Sequence, residues 1–473
     1  MSDRRSRHRA PALLPAALVA LVASVAVSSV AAAPLGAQSR DRAAILRSVD
    51  SVAASYLKDG RAAGMSIAVV RGRDTLVMKG YGFADLELDV PTPPRAVYEI
   101  GSVTKQFTAA AILQLRDEGK LDLADDITKH LPDYPTQGHR ITVRRLLDHT
   151  SGIKGYTEIP KFGTIMSRKL PKDSLVALFK DEKFDFAPGE GEVYNNSAYF
   201  LAGLIVEKLS GMSYPDYVQK RFFDKLGMSD SRYCSESAII KRKAHGYDMG
   251  PNGLQNKGYI DHTYPYAAGS LCSTVGDLVT WNRALHGGKV LPAKSYQDMI
   301  TPGTLNDGTK LRYALGLAIH DLHGHRVIEH GGGIPGYLSA SYYFPDEDAV
   351  IVVLVNSIGP VSADAVTASV AEAVLGKKTV AQAPYRGSLA DLAGRYTGVG
   401  RGSQMSVVIS EEGGKLKAKM GEGPEAEARE LRYLGDEKWD AEGQHLTFVR
   451  EGGKVAKLRA DMVYGYSFLV RQP

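Results

Sequence analysis

The chain has 473 residues, 44% hydrophobic and 23% charged, which suits a globular protein with a large core and two or three domains and excludes a disordered or fibrous class. Its formal charge is +5, but residues 1–37 carry four arginines and one aspartate, so the remainder carries only +2. No basic stripe is left to serve a nucleic-acid partner.

Arg4, Arg5, Arg7 and Arg9 precede an apolar run from Pro11 to Ala33, and "PLGAQS" offers cleavage after Ala37. Basic, then apolar, then small residues make a secretory signal peptide over 1–37 and imply export to the periplasm or the exterior, with no stable membrane span once it is removed. The run is near spanning length, so a retained anchor is the alternative. No cysteine near the cleavage point supports a lipoprotein.

Asp41 to Lys58 has the pattern of an amphipathic helix. Met65–Val70 and Thr75–Met78 flank the turn residues Arg71-Gly-Arg-Asp74, a hairpin signal. From residue 102 to about 300 the pattern is mainly helical, clearest at Ser197–Ser210 and Gly276–His286. Strands are expected at Leu311–His320, His325–Glu329, Leu338–Phe344 and Val350–Val355, then a helix at Ala363–Leu375. Strands at both ends of a helical middle imply one α/β domain over 41–376 with a helical insertion. A linker at 377–384 leads to 385–473, where short alternating runs separated by glycines predict a small antiparallel sheet or barrel. No catalytic motif is evident in that tail.

The first chemical signal is "IGSVTKQFTAAAILQL" at 100–115. Beyond Lys105 it is apolar nearly all round, as a buried helix is, with Ala109–Leu115 serving packing. Yet its first turn holds Ser102 and Lys105. Residues at i and i+3 share a helix face, and a long helical side chain leans toward the N-terminus, so the amine is aimed at the hydroxyl. Burial and the positive end of the helix dipole both disfavour the ammonium and favour a free amine that can act as a base. Ser102 is thus the candidate nucleophile. The same spacing at Ser55/Lys58 and Ser151/Lys154 lacks this context, the first being on a surface helix and the second in a turn.

Two other clusters suit this chemistry. "PGEGEVYNN" leads into the helix at Ser197 and presents Tyr194, a phenol able to act as general base near a lysine, and Asn196, an amide able to hold a substrate's peptide group. "EHGGGIPG" places His330 at the end of a strand, followed by glycines that admit another backbone. An edge N–H there, with the N–H of Ser102, could form an oxyanion hole. His286-Gly-Gly288 has the pattern of a helix end, so His286 is structural, as is the loop histidine His149.

His320, His323, His325 and His330 fit no zinc spacing, so no metal and no other cofactor is expected. Cys234 and Cys272 could bridge in an oxidising compartment or remain two buried thiols; neither has the histidine partner of a cysteine nucleophile.

In their order along the chain, Ser102-Val-Thr-Lys105, Tyr194-Asn195-Asn196 and His330-Gly331-Gly332 resemble the serine β-lactamase and penicillin-binding superfamily. The likeness is to the branch of class C β-lactamases, D-Ala-D-Ala carboxypeptidases, D-aminopeptidases and related esterases. It covers residues 43–375, with "LLDHTSGI", "AAGSLCSTVGDLVTW" and "HGGGIPGYLSASYYFP" as support; the tail resembles the lipocalin-like β-domains of some members. The resemblance implies an antiparallel sheet flanked by helices with a helical subdomain.

It further implies that Ser102 is acylated while Lys105 and Tyr194 carry the proton, and that Asn196 binds the substrate amide. His330, with Gly332 in the same motif, would face Tyr194 and the substrate's end. The N–H groups of Ser102 and Gly333 would bind the oxyanion. Implied substrates are small molecules or short peptides, cell-wall peptides among them. Class C β-lactamases carry lysine where this chain has His330, and a neutral imidazole attracts a β-lactam carboxylate less. D-amino-acid peptides or esters are therefore favoured over a β-lactamase, and over a binding protein that acylates without turnover.

Overall fold

The computed structural model describes the backbone of residues 35–472, apart from 379–383, 401–402, 422–426, 442–443 and 463, and side chains from residue 42 onward. Most of the expected signal peptide and most of the expected linker lie outside the described residues, and the last three residues expected in the signal, 35–37, begin the first helix. Met1–Arg42 separates as a unit from Ala43–Pro473, and the larger unit holds the core.

That unit opens with the end of helix α1 (Leu35–Leu57), which begins earlier than the pattern from Asp41 suggests. A seven-stranded antiparallel sheet is then built from both ends of the domain. Its strands are β1 (Gly64–Arg71), β2 (Asp74–Asp85), β3 (Val90–Pro91), β4 (Ala318–Leu322), β5 (His325–Ile334), β6 (Tyr337–Phe344) and β7 (Ala349–Val355), in the spatial order β3-β2-β1-β7-β6-β5-β4. β1 and β7 lie at the centre, with Met65 opposite Val355 and Val70 opposite Val350.

Side chains alternate across a strand, and both faces of this pair are covered. Met65, Ile67 and Val69 join Ile351 and Val353 in one core. Ala68 and Val70 join Val350, Val352 and Leu354 in the other. Helix α5 (Ala363–Leu375) packs against β6 and β7 on the first face, and α4 (Val275–His286) against β1 and β7 on the second. Near-continuous apolar strands follow from this double covering.

Between β3 and β4 lies the helical region, which includes α2 (Thr104–Asp117), α3 (Asn196–Ser210) and α4. Helix α2 is the most deeply placed. Phe107 stacks on Trp281 of α4 at 3.9 Å, and Ala109–Leu113 and Leu115 are buried. Gly119, at φ +73°, ends it as a left-handed C-terminal residue.

Two sequence expectations need correction. Leu311–His320 is not a continuous strand, because 311–317 form turns and isolated bridges and only 318–322 joins the sheet. His330 does not end its strand, because β5 runs on through the glycines to Ile334, paired with β6 throughout.

Beyond residue 393 nine strands follow: β8 (Gly394–Gly400), β9 (Ser403–Glu412), β10 (Lys415–Met420), β11 (Ala428–Glu430), β12 (Arg432–Gly435), β13 (Lys438–Ala441), β14 (Gln444–Glu451), β15 (Lys454–Met462) and β16 (Gly465–Arg471). Their order is β11-β10-β9-β8-β16-β15-β14-β13-β12. The two edge strands are consecutive in the chain, so the sheet is a nearly closed antiparallel barrel around Tyr396, Trp439, Phe448 and Leu458.

Cys234 and Cys272 are joined, with Cα atoms 5.2 Å apart, closing a loop across 38 residues. Removing such a bridge frees loop entropy in the unfolded chain. Replacing both cysteines by serine is expected to lower unfolding free energy by roughly 3–4 kcal/mol, read as a shifted urea midpoint in non-reducing buffer.

Candidate active site

Ser102 lies in the 3₁₀ turn Gly101–Val103 at the entrance of α2. Gly101 has φ +49°, and a Cβ there would lie 2.9 Å from the backbone N of Gly333. Glycine at 101 therefore answers two demands, a left-handed backbone and the close approach of β5.

Lys105, one turn on, is fully buried. Its Nζ lies 3.1 Å from Ser102 Oγ, 2.8 Å from Asn196 Oδ1 and 2.8 Å from the Ala268 carbonyl oxygen. The last two atoms can only accept, whereas a hydroxyl can accept or donate. An ammonium can donate to all three. A free amine can donate to the two acceptors and receive the serine proton on its lone pair, so one geometry accommodates both protonation states.

Each partner is held from outside. Asn195 caps α3 by accepting from the Ala198 N–H at 2.8 Å, which fixes Asn196 in the first turn. The segment carrying Ala268 is tied to α2: Thr108 donates to the Ala267 carbonyl at 2.6 Å and Leu271 N–H to Thr104 Oγ1 at 3.2 Å. The adjoining Cys272 carries the disulfide.

Tyr194 is buried, with its ring centroid 4.7 Å from Lys105 Nζ. Behind it His149 accepts the Asn195 N–H on Nδ1 at 3.1 Å, and its ring lies 4.3 Å from that of Tyr194. His149 thus supports the loop that presents Tyr194 and Asn196.

His330 is fully buried, its ring 6.1 Å from that of Tyr194. Burial, and then the charge of Lys105, push its pKa down to about 3, so the imidazole is neutral at ordinary pH. Its Nδ1 faces the Gly331 carbonyl oxygen, an acceptor only, so the ring proton belongs on Nδ1. The Tyr313 hydroxyl then donates to Nε2 at 2.8 Å.

Beyond Glu329, β5 has no strand on its outer edge among the described residues. The Gly331 N–H points out there, to the Tyr464 hydroxyl. Alternation along a strand puts the Gly333 N–H on the same edge, beside the Ser102 turn. A Cβ at Gly332 would meet the Ile100 carbonyl oxygen at 2.3 Å and Ser102 N at 3.0 Å, so β5 can run this close only as glycine.

A cavity of about 150 Å³ opens beside Ser102, lined by Tyr156, Phe162, Asn196, Ile260, Ile334 and Pro335 among others and by no charged side chain.

Sequence reasoning missed two tyrosines. Tyr313 lay inside an expected strand, and Tyr464 lies in the tail where no catalytic motif was evident. Tyr464 stacks on His330 at 4.8 Å and its ring lies 5.5 Å from that of Tyr194. Neither position carries a local signal. His320, His323 and His325 bond separately, to the Asp321 carbonyl, the Ala368 carbonyl and Glu347. Glu99, Glu236 and His262 gather within metal-ligand distance, but Lys257 and Lys243 already lie 2.8–3.3 Å from the two carboxylates.

Residues 49–375 match the family described as Beta-lactamase, and the chain belongs to that family; it is a serine hydrolase acting on amide or ester bonds. Among curated proteins it is 28% identical over 307 residues to penicillin-binding protein 4* of Bacillus subtilis, covering 62% of this chain and 67% of that one. It is likewise 28% identical over 320 residues to protein flp of Staphylococcus aureus, covering 65% and 62%. Among solved structures, a D-amino acid amidase from Ochrobactrum anthropi SV3 complexed with D-phenylalanine superposes with TM-score 0.63 at 25% identity, over 70% of this chain and 99% of that one. The octameric penicillin-binding protein homologue of Pyrococcus abyssi, at 24% identity, shares the fold over 90% of this chain and 98% of its own, TM-score 0.63.

Two titrations follow from the burial of this region. His330 is buried neutral, so the pH dependence of kcat/KM should show no imidazole limb between pH 5 and 8. Glu192, two residues before Tyr194, is raised to about 8 by burial and by Asp148. A carboxyl that holds its proton more tightly folded than unfolded contributes stability at low pH and loses it as pH rises through about 8. Its contribution should make the melting temperature fall between about pH 4.5 and pH 8 and level off above, and Glu192→Gln should flatten that fall.

Proposed function

We propose that this protein is an exported acyl-transfer hydrolase that forms an acyl-enzyme on Ser102, with small amides, short peptides or esters of D-amino acids as substrates. The observation that carries the reading is the buried Lys105 amine 3.1 Å from Ser102 Oγ, with two pure acceptors occupying its other directions. The likeness to solved structures of a D-stereospecific amidohydrolase and a D-amino acid amidase supports the substrate class. The basic and apolar leader supports export.

In this reading Oγ attacks the carbonyl carbon as its proton passes to Lys105. Charge on the carbonyl oxygen meets the N–H groups of Ser102 and Gly333, worth most where water is excluded. The proton then goes to the leaving nitrogen or oxygen, with Tyr194 beside Lys105 to share it. Water, activated by the same groups, releases the acyl group and restores Ser102. The uncharged cavity receives the apolar part of the acyl group, and Asn196 binds its amide. Neutral His330 offers no cation to a carboxylate, which favours amides and esters over β-lactams.

Intact mass after exposure to a fluorophosphonate and to a fluorescent penicillin tests this. Wild type should gain one adduct, Ser102→Ala none, and Lys105→Met should slow labelling roughly 10²–10⁴-fold, the range of a lost general base. An adduct persisting in Ser102→Ala would place the nucleophile elsewhere.

A further inference from the structure

Tyr464 sits in the turn between β15 and β16, where the barrel enters the site. Its hydroxyl accepts from the Gly331 N–H and donates to Glu329 Oε2 at 3.0 Å, so both capacities of the hydroxyl are used. Its ring lies nearly parallel to His330, at 18°. The adjoining Gly465 forms an antiparallel bridge with Val193, next to Tyr194. The barrel is also tied to the hydrolase domain by Arg312 donating to His445 Nδ1 at 2.9 Å. At Gly331 a Cβ would stand 3.0 Å from the Tyr464 hydroxyl, so glycine leaves the room the phenol occupies.

The position of this contact along β5 is what gives it meaning. On the open edge, Gly333 faces the Ser102 turn, and the uncharged cavity extends past it toward Ile334 and Pro335. An acyl group lodged in that cavity sends its leaving group the other way, along the same edge toward Gly331. That N–H, two residues or ~7 Å from Gly333, is already taken by Tyr464. One residue of extended chain spans ~3.5 Å, so a leaving group of one residue fits before the phenol and a longer chain meets it.

We propose that Tyr464 is a specificity-determining residue: it caps the leaving-group end of the β5 edge and restricts the enzyme to small leaving groups, namely ammonia, an alcohol or a single amino acid. The inference rests on the acyl-enzyme reading above and names the substrate class of that site. By it the C-terminal barrel is a wall of the active site.

The test compares full-length wild type, Tyr464→Ala and Tyr464→Phe on two substrates with one acyl group, D-phenylalanine amide and D-phenylalanyl-D-alanyl-D-alanine. Circular dichroism checks that each variant is folded. Wild type should favour the amide. Tyr464→Ala should raise the tripeptide-to-amide ratio of kcat/KM tenfold or more, whereas Tyr464→Phe, which keeps the ring, should stay within about twofold of wild type. A ratio unmoved in folded Tyr464→Ala overturns the cap while leaving the acyl-enzyme intact. Tyr464→Phe opening the site as far as alanine would overturn the role of the ring. Absence of any Ser102 adduct in folded wild type would overturn both readings together.

Discussion

The burial of one amine organises this site. Lys105 is fully excluded from water, and a buried amine is tolerable only with partners for each of its directions. Those partners come from three separate segments: Ser102 at the start of α2, Asn196 at the start of α3 and the carbonyl of Ala268. The supports around them follow from the same demand. Asn195 fixes the helix that brings Asn196, and Thr104 and Thr108 pin the strand of chain that offers Ala268. Removing any one partner would leave a polar group without water in a region built of alanine, phenylalanine and tryptophan.

Much of this was legible because local chemistry reported it. A lysine in the first turn of an apolar helix is a contradiction that sequence alone displays, and the glycines after His330 show that a backbone must pass closely. The short, near-continuous apolar runs of β1 and β7, the strand pattern of β6 and the helix Ala363–Leu375 were readable for the same reason, since each is set by its own pattern. Where tertiary pairing decides, the pattern was silent. Leu311–Leu317 has strand composition but no strand neighbour, and β5 continues through three glycines because β6 pairs them. Tyr313 and Tyr464 reach His330 only through the fold, and nothing adjacent to either marks it.

The contact between barrel and hydrolase domain is unusually polar for a covered surface. Glu192, Arg312, Asp440, His445, Arg459 and Asp461 gather around it. Burial pushes His445 well below its ordinary range and Glu192 well above its own, so both are neutral near pH 7. Polar contacts of this kind reward one geometry and penalise slippage, since a displaced partner leaves a buried group unsatisfied. They suit a surface that must deliver a particular turn to a particular strand.

The central pairing of β1 with β7 has a kinetic consequence. Met65 lies opposite Val355, with the whole helical region between them along the chain. The β1–β2 hairpin forms from neighbours, but its inner edge presents Ile67, Val69 and Val70 without a partner until β7 arrives. Pairings so distant in sequence are slow to form, and an apolar edge left open meanwhile is a template for other chains. The time during which this protein is most prone to self-association is thus the interval in which its own midline strand is still missing.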